Sequence, residues 1–247
     1  MIVFTVDKGL NGILSALFVS YTQKIYPEKV IITDIKYQPS FDEKLCRIES
    51  VTGSERVRNA LINYAGQSCI SRLGVCLLSC DDEAYTTAYF YAKKILDARR
   101  DVAPLLTDPV VFKFDDLCRK VLLEKHRMTG FLRFNETRKK VLYACYSPDN
   151  DITELIAPHF FARFGKIPFV IHDLNRNRIA ISDGRDVRYG YTNTRATLDL
   201  SEDEKNFQNL WKHYFNDINI KERKNTRQQD GYMPRRYRKF MPETYED

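Results

Sequence analysis

The hydrophobic pattern of this 247-residue chain changes character at Thr129-Gly130, and this change most constrains the fold. Before it, apolar residues recur at intervals of three and four, the spacing of one helical face. After it, shorter segments alternate apolar and polar positions with the period of two that is typical of strands. The sequence therefore predicts an α+β protein, with a helical N-terminal half followed by an antiparallel ββαββ sheet unit that is covered by helices.

The first half predicts mainly helices. Short β-prone segments lie at 2–6 and at 30–32, and Ser54 has the character of a helix N-cap. The predicted helices cover residues 10–21, 54–73, 83–96 and 115–125. These elements form one predicted region, residues 1–125.

The second predicted region, residues 126–247, contains the ββαββ unit, a last helix and a tail. The unit begins with a predicted strand pair over 131–146, joined by a polar turn at Asn135-Glu136-Thr137. A predicted helix that ends at Gly165 follows, and then predicted strands at 167–172 and 178–182. Ser201 caps a last predicted helix. One continuous domain that includes both regions is the alternative to this division.

The tail concentrates the positive charge of the chain. Residues 221–240 carry eight basic and two acidic side chains, so their net charge equals the +6 of the whole protein. Aromatic residues, among them Tyr232 and Phe240, are interleaved with the basic ones. Pro234 and Pro242 are unsuited to helix interiors, so we predict an extended basic C-terminal tail.

Interleaved cations and aromatic rings are the two halves of a nucleic-acid contact, because cations attract phosphates and flat rings stack on unpaired bases. The half-exposed strand predicted at 131–134 would add a basic face. The alternatives are a solvated tail, or aromatic side chains that only anchor the tail to the protein. The predicted nucleic-acid-binding residues are Arg127, Arg133, Arg163, Arg223, Lys224, Asn225, Arg227, Arg235, Arg236, Tyr237, Arg238 and Lys239.

Several classes of site lack their sequence signatures. The six cysteines include no Cys-x-x-Cys pair, and no glycine-rich phosphate loop is present. No apolar run approaches the roughly 20 residues that span a bilayer, and the N-terminus lacks the pattern of a secretion signal. We therefore expect a cytoplasmic protein with no metal, no cofactor and no membrane association.

His159, His172 and Asp173 are the candidate catalytic residues. A histidine beside a carboxylate is suited to acid–base chemistry, and His172 and Asp173 are neighbours at a predicted strand end. His159 lies four residues before Arg163, so the two share one helix face and are suited to bind a phosphate. The alternative is that the histidines are structural hydrogen-bonding groups.

Six ordered blocks resemble a bacterial family that is associated with DNA metabolism or DNA repair and whose biochemical function is unknown. The blocks are Arg127-Met-Thr-Gly-Phe-Leu-Arg-Phe134, His159-Phe-Phe-Ala-Arg-Phe164, Phe169-Val-Ile-His-Asp173, Leu210-Trp-Lys-His-Tyr-Phe215, Ile220-Lys-Glu-Arg-Lys-Asn225 and Met233-Pro-Arg-Arg-Tyr-Arg-Lys-Phe-Met-Pro-Glu243. Members of that family are encoded beside a radical-SAM protein with a helix-hairpin-helix element, and a related domain is fused to uracil-DNA-glycosylase-like domains. The resemblance implies a DNA context and a radical-SAM partner.

Three hypotheses about function follow. The first is a DNA-binding accessory protein of a repair or modification system that works with a radical-SAM partner. The second is a glycosylase-like enzyme that acts on damaged or modified bases. The third is a protein-interaction scaffold whose tail binds an acidic partner.

Overall fold

The structure is a computed structural model that describes residues 1–33, 37–192, 199–217 and 225–242. The chain forms two compact units, unit 1 with residues Met1–Leu122 and unit 2 with residues Leu123–Asp247. Helices and two sheets are present, which confirms the mixed helix and strand content. No helix in the described part of the chain combines the length and the apolar character that a membrane span requires.

Unit 1 contains a small parallel sheet and helices. Its strands are β1 (Ile2–Val6), β2 (Lys29–Ile32) and β3 (Lys44–Ile48). Its helices are α1 (Leu10–Gln23), α2 (Ser54–Ala65), α3 (Gln67–Cys76) and α4 (Ala84–Ala98), and α5 (Pro109–Phe131) begins in this unit. The helix predicted over 54–73 is two helices, because Gly66 has φ 77° and cannot continue a right-handed helix.

The sheet of unit 1 has the order β2-β1-β3, and both pairings are parallel. Strand β1 is central and has Val3, Phe4 and Val6 buried, as expected for a strand with neighbours on both sides. Strand β3 was missed by the sequence analysis, because most of its side chains are exposed or half-buried and include Lys44 and Arg47. The N-terminal half is therefore helical around a three-stranded sheet.

Unit 2 contains a five-stranded sheet and four helices that lie within the described residues. The strands are β4 (Asn135–Glu136), β5 (Leu142–Tyr146), β6 (Phe169–Asp173), β7 (Arg178–Ser182) and β8 (Val187–Tyr191). The helices are α6 (Thr153–Phe164), α7 (Glu202–Asp217), α8 (Thr226–Tyr232) and α9 (Arg235–Arg238). The predictions of β6, β7, the end of α6 at Gly165 and the cap of α7 are confirmed, since Ser201 Oγ accepts the Glu204 N–H at 3.1 Å.

The prediction that this sheet is antiparallel is wrong for one pair. The strand order is β4-β5-β6-β7-β8, and β5 pairs with β6 in parallel, Ala144 opposite Ile171. Helix α6 connects these two strands, and a crossover helix returns the chain to the same end of the sheet. The other pairings are antiparallel, so the sheet is mixed.

Two further local predictions are corrected. Residues 131–134 do not form a strand, because α5 continues to Phe131 and the first strand is the two-residue β4, at the position of the predicted turn. The tail is not extended over its described residues, because α8 and α9 form on either side of Met233-Pro234. Pro234 lies just before α9, where its missing N–H costs no helical hydrogen bond.

A substitution at Gly12 in α1 tests how closely this helix packs against the end of β1. A Cβ atom at Gly12 would lie 2.2 Å from the backbone oxygen of Asp7, whereas one at Gly74 in α3 would meet nothing within 4 Å. We expect Gly12→Ala to lower the free energy of unfolding by about 1–3 kcal/mol through overpacking, as measured by urea denaturation. Gly74→Ala is the matched control and should leave stability unchanged or raise it by up to about 1 kcal/mol; equal effects of the two variants would contradict the described packing.

Candidate functional site

A buried carboxylate, Glu124, organises one side of unit 2. Glu124 lies in α5 and is 5% exposed. Its Oε1 accepts the Asp149 N–H at 2.9 Å, and its Oε2 accepts the backbone N–H and the side-chain amide of Asn150 at 2.8 and 2.6 Å. A buried carboxylate is costly unless its oxygens accept hydrogen bonds. These contacts therefore fasten the loop between β5 and α6 to α5.

The fourth donor to Glu124 comes from the tail. The Tyr237 hydroxyl donates to Glu124 Oε1 at 2.6 Å, and the Tyr237 side chain is buried. Burial raises the pKa of the Tyr237 phenol, and its hydrogen bond to Glu124 acts in the same direction, so the hydroxyl keeps the proton that it donates. A base cannot stack on this buried ring, and the role that the structure gives to Tyr237 is to anchor the tail.

Arg236 reinforces this anchor. Its guanidinium donates to the Tyr237 hydroxyl at 2.9 Å, lies 4.7 Å from the Tyr237 ring centroid and forms a salt bridge with Asp149 at 2.6 Å. The side chain nevertheless remains 52% exposed. Arg236 thus holds the tail in place and still presents positive charge to solvent.

The other tail residues of the predicted site differ in their surroundings. Arg235 and Arg238 share Asp230, at 2.9 and 2.5 Å, with side-chain exposures of 76% and 23%. Arg227 and Lys239 are exposed, and Lys239 lies over the ring of Phe240. The described part of the tail therefore offers exposed positive charge mainly at four positions. These are Arg227, Arg235, Arg236 and Lys239, and we call them the tail surface.

Two predicted residues at the start of the tail, Arg223 and Lys224, lie outside the described residues. Asn225 has a structural contact, because its side-chain oxygen accepts the Gln228 N–H at 3.0 Å and caps α8. Arg127 on α5 donates to the Gly231 carbonyl oxygen at 3.1 Å, so it lies beside α8. Arg127 therefore adds one cation next to the tail surface.

The candidate catalytic residues are not arranged as one acid–base pair. His172 and Asp173 are consecutive in β6, so their side chains point to opposite faces of the sheet. The His172 ring is buried and its Nδ1 lies 2.8 Å from the Tyr143 hydroxyl, where burial raises the pKa of Tyr143 to about 12. His159 is exposed on α6 and its ring contacts that of Phe160.

Asp173 organises the turn between β6 and β7. Its Oδ1 accepts the backbone N–H groups of Asn175 and Arg176 at 2.9 and 3.3 Å, and its Oδ2 pairs with the Arg176 guanidinium at 3.1 Å. Complete burial raises the pKa of the Asp173 carboxyl, while the charge of Arg176 acts in the opposite direction. Both oxygens are thus engaged in holding the turn.

Two of the predicted cations, Arg133 and Arg163, meet at a cleft in unit 2. The cleft has a volume of about 490 Å³, and its lining comes from the end of α5 and the residues after it, from α6, from α7 and from the end of the tail. Its aromatic lining is Phe134, Phe160, Phe164, Phe207 and Trp211, and its polar lining includes Arg133, Asn135, Arg163, Glu204 and Gln208. We call this feature the aromatic cleft.

Sequence reasoning missed both Glu124 and the cleft. The signal for Glu124 was present, since Leu117, Val121, Glu124 and Met128 follow one another at steps of four, three and four, and all are buried. The cleft had no comparable signal, because its lining residues come from segments that are far apart in the sequence. In the sequence, these aromatic residues fit the apolar faces of separate elements.

The hydrogen bond between Tyr237 and Glu124 can be tested by a substitution. We expect Tyr237→Phe to lower the free energy of unfolding by about 1.5–3 kcal/mol, because Glu124 loses a hydrogen bond to a buried charged group. Urea denaturation measures the change. Tyr232→Phe is the matched control, since Tyr232 is 72% exposed and the change should stay within about 0.5 kcal/mol. An unchanged stability of Tyr237→Phe would show that the anchor does not form.

Comparison with known proteins supports a family but no activity. No curated protein matches the chain. Residues 82–243 match DUF4130, which is described as a domain of unknown function. The match begins just before α4 and includes Glu124, the aromatic cleft, the described part of the tail and the candidate catalytic residues. Because it covers more than half of the sequence, the chain belongs to the DUF4130 family.

Proposed function

We propose that this protein binds DNA through the tail surface and acts as an accessory to a radical-SAM partner in a DNA repair or modification system. The single observation that carries the proposal is the anchored tail. Tyr237 fastens it to the buried Glu124, while Arg227, Arg235, Arg236 and Lys239 remain exposed. Cations that are already held in place attract phosphates, and binding then loses less conformational entropy than it would if a free tail had to become ordered.

The ion pairs of the tail are compatible with phosphate binding. Arg235 and its partner Asp230 are 76% and 30% exposed, and exposed salt bridges are worth only about 0–1 kcal/mol. A phosphate can therefore replace such a partner at low cost. Arg227 forms no salt bridge with any described residue, so its charge is available to a phosphate directly.

The geometry favours a structural role over catalysis at His172 and Asp173. Asp173 uses both carboxylate oxygens to hold a turn, and His172 is buried against Tyr143. Neither arrangement presents an acid or a base to a substrate. The resemblance to a family associated with DNA metabolism supports the DNA context, and the radical-SAM partner rests on that resemblance alone.

The proposal predicts salt-dependent binding to duplex DNA. We expect the affinity to fall as salt rises, with a log–log slope of about 0.9 for each neutralised phosphate. In the double variant Arg227→Gln, Arg235→Gln, the slope should decrease by up to about 1.8, because two phosphate contacts are lost. Fluorescence anisotropy of a labelled duplex across a salt series measures both quantities.

The matched control is the double variant Arg119→Gln, Lys120→Gln in unit 1, which removes the same charge. These side chains are 63% and 55% exposed and both pair with Asp116. The control should bind as the unaltered protein does. No binding at low salt, or equal losses in the two double variants, would overturn the proposal; equal competition by polyglutamate, an anion without bases or phosphates, would instead favour the scaffold hypothesis.

A further inference from the structure

The aromatic cleft contains hydrogen-bond donors that lack acceptors among the described residues. Arg163 forms no hydrogen bond or salt bridge with any described residue, and the buried indole Nε1 of Trp211 has no hydrogen-bond partner in the described part of the chain. An unsatisfied buried donor costs about 1–3 kcal/mol, so its retention calls for an explanation. A ligand that carries acceptors would provide one.

The aromatic rings of the cleft form two separate groups. Phe134 packs against Phe160 and Phe164 with centroid distances of 4.8 Å to each, and Trp211 packs against Tyr214 at 5.7 Å. No ring contact joins the two groups among the described side chains, although members of both line the cleft. The open volume of about 490 Å³ falls in the range of roughly 300–1,000 Å³ that small-ligand sites have. The cleft is therefore a preformed space bordered by flat faces.

The polar lining is suited to the edge of a base. Gln208 donates to Asn135 Oδ1 at 2.8 Å and to Glu204 at 2.8 Å. The Asn135 amide nitrogen and the Gln208 carbonyl oxygen have no hydrogen-bond partner among the described residues, which leaves one donor and one acceptor at the cleft. Amide groups of this kind form paired hydrogen bonds with base edges.

The carboxylate of Glu204 at the cleft already accepts hydrogen bonds from the protein. Glu204 accepts the Gln208 amide with Oε1 and the Glu136 N–H with Oε2, at 2.8 and 3.0 Å. Among the described lining residues two arginines outnumber this one carboxylate, so the described lining favours an anionic ligand. An apolar peptide would fill the aromatic space but would leave Arg163 and the Trp211 N–H unsatisfied.

We propose that the aromatic cleft binds one unstacked nucleotide of single-stranded DNA. The base lies against the rings of Phe134 and Trp211, its edge faces Asn135 and Gln208, and its phosphate contacts Arg163. The Trp211 N–H is the donor left for an acceptor of the bound nucleotide. The proposal rests on the proposed DNA binding and deepens it, because Pro242 at the end of the tail lines the same cleft.

Trp211 is the only tryptophan of the chain and reports on the cleft directly. We expect a short oligodeoxythymidylate to quench its fluorescence in the full-length protein, because a stacked base contacts the indole. An abasic oligonucleotide of the same length carries the same phosphates but no bases. It should bind the tail surface and leave the fluorescence unchanged.

Single-residue variants separate the contribution of base stacking to the affinity from that of the phosphate contact. Arg163→Gln should weaken oligodeoxythymidylate binding about ten-fold, because its phosphate contact is lost. Trp211→Leu should weaken binding by about the same factor when binding is followed by anisotropy, since stacking of one base contributes about that much. Lys166→Gln and Leu210→Ala are the matched controls, because these exposed side chains do not line the cleft. If Trp211→Leu does not fold, Trp211 fluorescence still tests the nucleotide site. The oligonucleotide should quench it in the unaltered protein, and about ten-fold more oligonucleotide should be needed in Arg163→Gln.

The outcomes distinguish this inference from the proposed function. Equal binding of the two oligonucleotides without quenching would overturn the nucleotide site and leave the tail surface intact. Binding of neither would overturn the nucleotide site, and the duplex titration would then decide the tail surface separately. Quenching by a tyrosine-containing dipeptide, with none by the oligonucleotide, would assign the cleft to a protein partner and also overturn the inference.

Discussion

One buried carboxylate connects the parts of unit 2 on which its surface depends. Glu124 accepts hydrogen bonds from Asp149, from Asn150 and from Tyr237, so a single side chain of α5 joins the loop before α6 and the tail. Hydrogen bonds to a buried carboxylate are worth more than those at the surface, because water cannot replace a lost donor. The basic tail is therefore a component of the folded unit over its described residues.

The elements with local signals were predictable from the sequence. Strands β6 and β7, the end of α6 at Gly165 and the Ser201 cap depend on alternation and on capping, which are properties of neighbouring residues. Strand β3 and the parallel pairing of β5 with β6 depend on contacts that are distant in the sequence. The helices of the tail were not predicted although part of their signal is local, since Asn225 caps α8 and Pro234 directly precedes α9.

The candidate site was also only partly predictable, because it too depends on contacts between residues that are distant in the sequence. Composition and charge drew attention to the cations of the tail, but they did not show which side chains are engaged within the protein. Tyr237 is an anchor and Asn225 is a helix cap, whereas Arg163 is open to solvent at the cleft. A residue type indicates which chemistry is available, and only packing decides whether that chemistry faces a ligand.

The two outer strands of the five-stranded sheet have a consequence for assembly. Strand β4 has two residues, and β8 presents Arg188 with 77% of its side chain exposed. Very short strands and charged side chains both discourage another chain from adding a strand, because they offer few backbone groups or place a charge at the junction. A protein partner of unit 2 is thus expected to meet helices and loops, and association by strand addition is disfavoured at both edges of the described sheet.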